Sequence, residues 1–140
     1  MVVQRTFAFI KPDAVERNLI GKIIGRFEEE GLKVVALRMT RMTRSQAEKL
    51  YSVHVGKPFY QELVDYVTSG PVVLMVLEGE DAVKRVREII GATNPREAAP
   101  GTIRAEYGLD VTRNSIHAAD SPENAVREMM IFLTPDDLVG

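Results

Sequence analysis

Apolar and polar positions change their spacing along the chain, and these changes mark the predicted elements. Runs rich in β-branched and aromatic residues predict strands at 4–11, 33–42 and 71–79. The third run, PVVLMVLEG, is almost wholly apolar, which is typical of a strand that is buried on both faces. A short fourth strand is expected around His117, after the longest stretch without a clear period.

Between these strands, apolar residues recur at three- and four-residue intervals, which predicts helices. The helical stretches are LIGKIIGRFEEEG, a segment from Thr43 to about Leu50, FYQELVDYVTSG, EDAVKRVREIIG, and a segment from Ser121 to about Met130. Thr43 and Gln46 have the spacing of a capping box, and Ser121 followed by proline is a typical helix start. These two helices therefore carry their own start signals.

The order of the predicted elements indicates the fold class. Strand, helix, strand, two helices, strand, helix, loop, strand and helix form βαββαβ with insertions. This order predicts an α+β protein with a ferredoxin-like four-stranded antiparallel sheet and helices on one face. The long loop from Gly91 to Arg113 precedes the last strand, and loops of this length are usually functional or disordered. Because its composition is mixed, a functional loop is favoured. Residues 1–140 are expected to form a single domain.

Composition narrows the classes of function. Of the 140 residues, 45% are hydrophobic and 27% are charged, as in globular proteins. The net charge of -2 argues against a nucleic-acid partner that is bound through a strong basic field. With no cysteine and two histidines, disulfides are excluded and a zinc site made by the protein alone is not expected. No signal peptide or membrane-spanning run is recognisable, so we expect a cytoplasmic protein without membrane contact.

A histidine is the strongest candidate for chemistry. The glycine-rich phosphate loops GxxxxGKS/T and GxGxxG are absent from the sequence, so phosphates would have to be bound by side chains. His117, in RNSIHAADSPEN, is a possible nucleophile, and Glu128 on the next helix could accept a hydrogen bond from its second ring nitrogen. A histidine that merely completes a hydrogen bond at a strand end explains the position equally well. His54 lies in a loop without a partner pattern.

Four cations and one aromatic residue add to this picture. Lys11 ends the first strand, Arg87 precedes the long loop, Arg104 lies inside it and Arg113 ends it. Arginine matches phosphate oxygens bidentately, so these cations would form a polyphosphate site if they lined one pocket. Each alone is typical of a solvated surface charge, and sequence spacing does not show convergence. Phe59 could stack on a base, although a lone phenylalanine is more often part of a core.

Five sequence blocks, taken together and in order, resemble the nucleoside diphosphate kinases. They are FIKPDAV, Tyr51 ahead of KPFYQELVDYVTSGPV, VREIIGATNP, PGTIRAEYG and RNSIHAADSPENA, within about Arg5 to Phe132. The resemblance implies ping-pong transfer of a γ-phosphate from a nucleoside triphosphate to a nucleoside diphosphate, with ATP and GDP among the substrates and broad base specificity. It also implies Mg²⁺ held by the nucleotide phosphates, with no protein metal site, and a homo-oligomer, a hexamer with a tetramer as the alternative.

The resemblance also implies catalytic roles. His117 matches the histidine that is phosphorylated through Nδ1, and Glu128 matches the glutamate that bonds the other ring nitrogen. Lys11 matches a lysine that reaches the phosphates, and Tyr51 matches a tyrosine near the transferring phosphate. The chain departs from the family at Ala119, where a serine that would bond the glutamate is common. We therefore expect Glu128 to orient His117 through a water, with a modestly reduced rate.

The substrate-binding residues implied by the resemblance come from five separate parts of the chain. They are Lys11 and Asn114 for the sugar hydroxyls, Arg87, Thr93 and Arg104 for the phosphates, and Phe59 for stacking on the base.

Two other functions stay open at this point. The ferredoxin-like fold also hosts ligand sensors and nucleic-acid binders, so the protein could be a binding module. Salt-sensitive DNA affinity without phosphorylation by nucleoside triphosphates would favour that function. Alternatively, His117 could pass phosphate to another protein, which is compatible with the kinase activity.

Overall fold

The structure, a computed structural model, describes residues 3–139 and contains one four-stranded antiparallel sheet in the order β2-β3-β1-β4. The strands are β1 (Val3–Ile10), β2 (Lys33–Thr40), β3 (Val72–Glu80) and β4 (Ile116–Ala118). β1 pairs along its whole length with β3, and its residues 8–10 pair with β4. This antiparallel sheet, with helices packed on it, confirms the predicted ferredoxin-like α+β class.

Seven α-helices lie between or after the strands within the described residues. They are α1 (Pro12–Glu16), α2 (Ile20–Glu29), α3 (Arg44–Leu50), α4 (Tyr60–Val67), α5 (Ala82–Ile90), α6 (Ile103–Tyr107) and α7 (Pro122–Phe132). Every helix that the periodicity predicts is present. α1 and α6 were not predicted, because five residues are too few to show a helical period. None of these helices has the length and apolar character needed to cross a membrane.

The two predicted helix starts are confirmed. Thr43 Oγ1 accepts a hydrogen bond from the Gln46 N–H at 3.1 Å, and the Gln46 side chain accepts one from the Thr43 N–H at 2.9 Å. Ser121 Oγ accepts from the Asn124 N–H at 3.1 Å. Local hydrogen-bonding preferences therefore determine where α3 and α7 begin.

Helices cover both faces of the sheet, so the prediction of helices on one face is wrong. Ala8 and Ile10 of β1 pack in a core with α2 and α5, whereas Phe7 and Phe9 pack with α3, α4 and α7. β3 alternates in the same way, and its residues 72–77 are all buried, as predicted for this strand. Strands that are apolar on both faces need a helical layer on each side.

The long loop before β4 is anchored at both ends by one side chain. α6 lies in this loop, and its Arg104 donates hydrogen bonds to the carbonyl oxygens of Gly91 at 3.1 Å and of Ile116 at 2.7 Å. Thr102 accepts from the Ala105 N–H and caps the start of α6. The loop is therefore held against the strand that carries His117.

Candidate active site

β4 and α7 place a histidine against a carboxylate. Nε2 of His117 lies 2.8 Å from Oε1 of Glu128, whose side chain is only 6% exposed. An ionised carboxylate can only accept, so in a neutral imidazole Nε2 carries the proton and Nδ1 keeps its lone pair. The contact is direct and needs no bridging water, although Ala119 supplies no hydroxyl. The pair therefore leaves Nδ1 without a proton, as a nucleophilic nitrogen requires.

A tight turn before β4 positions this histidine. Ser115 is fully buried with a φ of 78°, and the Ile116 N–H donates to the Asn114 carbonyl oxygen at 3.0 Å. A positive φ outside glycine is strained and persists where surrounding contacts enforce it. One such contact runs from the Lys11 N–H to the Ser115 carbonyl oxygen, at 2.9 Å. The turn brings Asn114 to Lys11 while His117 enters the sheet.

Lys11 is a buried cation bound within the site. Its Nζ donates to Asn114 Oδ1 at 2.8 Å and to the Thr112 carbonyl oxygen at 3.1 Å. Asn114 Nδ2 donates in turn to the Thr93 carbonyl oxygen at 2.9 Å. Burial, assisted by the nearby positive charge of Arg104, lowers the pKa of Lys11 to about 7. An anionic ligand would favour the charged form and raise this pKa again.

A single cavity of about 250 Å³ brings most of the predicted site residues together. It is lined by His117, Glu128, Lys11, Tyr51, Arg87, Thr93, Arg104 and Asn114. A larger cavity of about 580 Å³ lies beside Asp13 and Tyr66, and no histidine is among its lining residues. The smaller cavity therefore holds the residues that can carry out chemistry.

Two buried polar atoms of cavity-lining residues have no hydrogen-bond partner within residues 3–139: Tyr51 Oη and Arg104 Nε. Burial and the Glu128 charge raise the pKa of Tyr51, so its phenol stays a neutral donor. Burial, followed by repulsion from Arg87, lowers the pKa of Arg104 to about 10, so it stays cationic near neutral pH. Leaving a buried polar atom unpaired costs roughly 1–3 kcal/mol, which a polar ligand would recover.

Phe59 lies at the edge of this region and is not a core residue. The residue is 43% exposed, so the expectation that a lone phenylalanine belongs to the core is wrong for this position. Its ring centroid is 5.1 Å from that of His54, which lines the cavity, and Lys57 Nζ lies 5.8 Å from the Phe59 ring. An exposed ring next to a polar cavity is free to stack on a planar ligand.

Arg113 does not join the other cations. Its guanidinium pairs with Asp110 at 2.8 Å, and the residue lines the larger cavity beside Asp13. Of the four cations considered from the sequence, Arg113 is therefore the one that lies outside the cavity of His117. The side chain is drawn to a carboxylate three residues earlier, within its own loop.

Three polar or charged cavity residues were not predicted from the sequence, and they are Asp120, Asn124 and Arg127. Asn124 stands one turn before Glu128 on α7, and residues four apart share a helix face. That spacing was the available signal for Asn124, whereas Asp120 precedes the helix and no helical spacing indicates it.

Comparison with known proteins identifies the family. Residues 4–138 match the family model described as nucleoside diphosphate kinase. The chain belongs to the nucleoside diphosphate kinase family. The nucleoside diphosphate kinase of Saccharolobus solfataricus is 59% identical, with 99% of this chain and 100% of the relative covered. That of Archaeoglobus fulgidus is 56% identical, with 99% of this chain and 91% of the relative covered.

Solved structures agree with this membership. The nucleoside diphosphate kinase of Aquifex aeolicus superposes with a TM-score of 0.96 at 50% identity, covering 99% of this chain and 100% of the other. A halophilic nucleoside diphosphate kinase from Halobacterium salinarum, in complex with CDP, also has a TM-score of 0.96 at 45% identity, covering 99% and 93%. The chain is thus a phosphotransferase that acts on nucleotides, and such kinases work with a divalent metal.

Proposed function

We propose that the chain transfers the γ-phosphate of a nucleoside triphosphate to a nucleoside diphosphate by a ping-pong route through His117, with ATP and GDP among its substrates. The observation that carries this proposal is the 2.8 Å contact between His117 Nε2 and Glu128 Oε1. It leaves Nδ1 available as a nucleophile in a cavity that also contains Lys11, Arg87 and Arg104.

Two displacements make up the proposed cycle. First, the Nδ1 lone pair attacks the γ-phosphorus, and the bond between that phosphorus and the bridging oxygen of the β-phosphate breaks. The diphosphate leaves with the oxygen, while Glu128 offsets the positive charge that develops on the imidazole. Next, a terminal oxygen of a second diphosphate attacks the phosphorus, the nitrogen–phosphorus bond breaks, and His117 is restored. The anhydride bond broken resembles the bond formed, so the net reaction is close to neutral and reversible.

Charged and hydroxyl groups would hold the transferring phosphate. Charge in phosphoryl transfer spreads over the equatorial oxygens, so catalysis depends on positioning and on charge stabilisation. Lys11, Arg87 and Arg104 supply the cations, and the phenol of Tyr51 and the hydroxyl of Thr93 supply neutral donors. The unpaired buried Tyr51 Oη supports this role, because a phosphate oxygen would give it a partner.

The divalent metal is proposed to be Mg²⁺ carried by the nucleotide phosphates. Within residues 3–139 no group of three or more His, Cys, Asp or Glu side chains is placed to hold a metal. Glu128 is engaged by His117, and Asp120 accepts a hydrogen bond from Asn124 at 2.6 Å, which holds the pKa of Asp120 below its ordinary value. This donor set fits a metal bound mainly through phosphates. When bound, Mg²⁺ would neutralise part of the phosphate charge.

The base and the sugar would lie towards the exposed end of the site. Phe59 offers a ring face for stacking, and every base has a face that can stack on it. Broad base specificity is expected from such a contact. Asn114 and Lys11, joined at 2.8 Å, are proposed to contact the sugar hydroxyls.

We further propose that residues 1–140 act as one domain in the cytoplasm, without a nucleic-acid partner, and assemble as a homo-oligomer. The edge strand β2 exposes Leu37 and Met39, and a second copy would cover such an edge. A hexamer, with a tetramer as the alternative, follows the family resemblance. Sedimentation of the purified chain should give an oligomer mass, and a monomer mass would contradict the assembly.

The proposed cycle is tested with γ-labelled ATP and Mg²⁺, without acceptor, followed by GDP. The wild-type protein should take up stoichiometric, acid-labile label that moves into GTP. His117→Ala should take up no label while still binding ATP, and His54→Ala, which removes the chain's other histidine, should still be labelled. Absence of label from folded, ATP-binding wild-type protein would contradict the proposal and favour a binding module.

A further inference from the structure

The catalytic pair has a third charged neighbour. Nη2 of Arg127 lies 3.6 Å from Oε2 of Glu128, while Oε1 of the same carboxylate contacts His117. Because the Glu128 side chain is 6% exposed, water offers its charge little stabilisation. Within residues 3–139, His117 and Arg127 are the charged or ionisable side chains that contact this carboxylate. Arg127 is therefore the cation that faces the second oxygen of this carboxylate.

Helix geometry alone does not explain the contact between Arg127 and Glu128. Adjacent residues on a helix do not face each other, so this pair differs from ordinary helix ion pairs at three- or four-residue spacing. Three hydrogen bonds direct the guanidinium instead. Its Nε donates to Asn124 Oδ1 at 3.2 Å, and its Nη1 and Nη2 donate to the carbonyl oxygens of Lys49 at 3.0 Å and Leu50 at 3.4 Å.

These contacts connect two sides of the cavity. Lys49 and Leu50 end α3, and Tyr51 follows them directly. On the other side, Asn124 donates from Nδ2 to Asp120. A planar guanidinium with several fixed donors suits this task, because it can satisfy carbonyl oxygens and face a carboxylate at the same time. A flexible ammonium would satisfy fewer of these acceptors.

We infer that Arg127 is a positioning residue for phosphoryl transfer. It holds the Glu128 carboxylate in its orientation, so that Oε1 continues to accept the hydrogen bond from the His117 Nε2–H and Nδ1 keeps its lone pair. This inference rests on the proposed function, since it takes His117 Nδ1 to be the nucleophile. Arg127 acts through Glu128 and is not required to touch the nucleotide.

The test compares charge removal with charge retention. Arg127→Gln removes the charge but keeps a polar side chain, and Arg127→Lys keeps the charge. Arg44→Gln is the control, because Arg44 pairs with Asp65 at 2.9 Å where both side chains are more than half exposed. Single-turnover formation of phosphohistidine at saturating ATP should slow about tenfold in Arg127→Gln, as for outer partners that orient a metal-bound histidine. Arg127→Lys should restore part of the rate, because it keeps the charge but reaches fewer of the carbonyl acceptors, and Arg44→Gln should match wild type. The Kd for ATP should be unchanged in all.

A second measurement, of the histidine tautomer, does not depend on phosphoryl transfer. Nitrogen-15 spectra of labelled histidine distinguish a proton on Nε2 from one on Nδ1, with His54→Gln used to assign the two rings. Wild type should show His117 protonated on Nε2, and Arg127→Gln should show a mixture of tautomers. An unchanged tautomer would overturn the inference, as would equal slowing in both Arg127 variants with a common loss of thermal stability. Because this measurement needs no nucleotide, it decides on Arg127 even if wild type is not phosphorylated.

Discussion

The buried part of the cavity, where the phosphates are proposed to bind, and the exposed edge beside it are built differently. Lys11, Asn114, Arg104 and Glu128 are buried and already hydrogen-bonded to the protein. Phe59, at the exposed edge, lies with its ring against His54, which lines the cavity. Groups fixed before the substrate arrives stabilise the transition state without reorganising, whereas an exposed ring contributes mainly to binding. Variants at the two ends should therefore change different kinetic constants.

The largest effect is expected from Glu128→Gln. An amide cannot offset the charge that develops on His117, so phosphohistidine formation at saturating ATP should slow about 100-fold, while the Kd for ATP stays within about twofold. Rapid-quench kinetics and equilibrium titration measure the two constants. Glu123→Gln, an exposed change on the same helix, is the control. An equal loss in the rate of phosphohistidine formation and in the affinity for ATP would contradict the distinction between a catalytic end and a binding end.

Phe59→Ala should weaken binding and leave the rate at saturation nearly unchanged. Loss of base stacking costs roughly 1–3 kcal/mol, so the Kd values for ADP, GDP and CDP should all rise about tenfold. Met130→Ala, an exposed apolar change on α7, serves as the control. A loss confined to one base would show that this end reads base identity and is more specific than proposed.

Tyr51→Phe should move activity and stability in opposite directions. It removes a buried hydroxyl without a partner in residues 3–139, so the free energy of unfolding should rise by about 1 kcal/mol. The saturating transfer rate should fall about tenfold, the lower value for one hydrogen bond to a charged phosphate. Denaturant unfolding at fixed protein concentration tests the first effect, and steady-state kinetics the second. Lower stability with an unchanged rate would contradict a ligand role for this hydroxyl.

The last effect concerns protons taken up by Lys11. Its pKa is about 7 in the folded protein against 10.5 for the free side chain, so the unfolded chain binds more protons between these values. The free energy of unfolding should therefore rise as the pH increases from about 7 to 10.5. Phosphate charge should reverse the shift, so nucleotide binding near pH 8 should take up about 0.9 proton. Calorimetry in buffers of different ionisation enthalpy measures this uptake. Equal proton uptake by the Lys11→Met variant would show that another group takes up the proton.

Local signals explain why much of the fold could be predicted. Thr43 with Gln46, and Ser121 with Pro122, determine helix starts through bonds within four residues. The apolar run of β3 likewise indicated burial on both sides of the sheet. The prediction of helices on one face did not take into account that β1 is also apolar on both faces. Phe7 and Phe9 therefore need helices packed on the second face of the sheet.

The site could be predicted only in part, because its contacts are long-range. The residues alone indicated His117 and Glu128, and the family resemblance added the roles of Lys11 and Asn114, but no spacing rule brings Lys11 to Asn114, 103 positions away in the chain. Whether Arg113 joins the cavity cations stayed open, because local sequence does not show which carboxylate a side chain will meet. Arg127 was not predicted, because carbonyl oxygens at the end of α3, far away in the chain, direct its side chain towards Glu128.

The central claim is that Glu128 occupies Nε2 of His117 and leaves Nδ1 to receive the phosphate. The most direct measurement is to phosphorylate the protein with ATP and Mg²⁺, digest it under alkaline conditions, and separate the two phosphohistidine isomers against standards. The account predicts phosphate on Nδ1 of His117. Phosphate on Nε2, or on a residue other than this histidine, would contradict it.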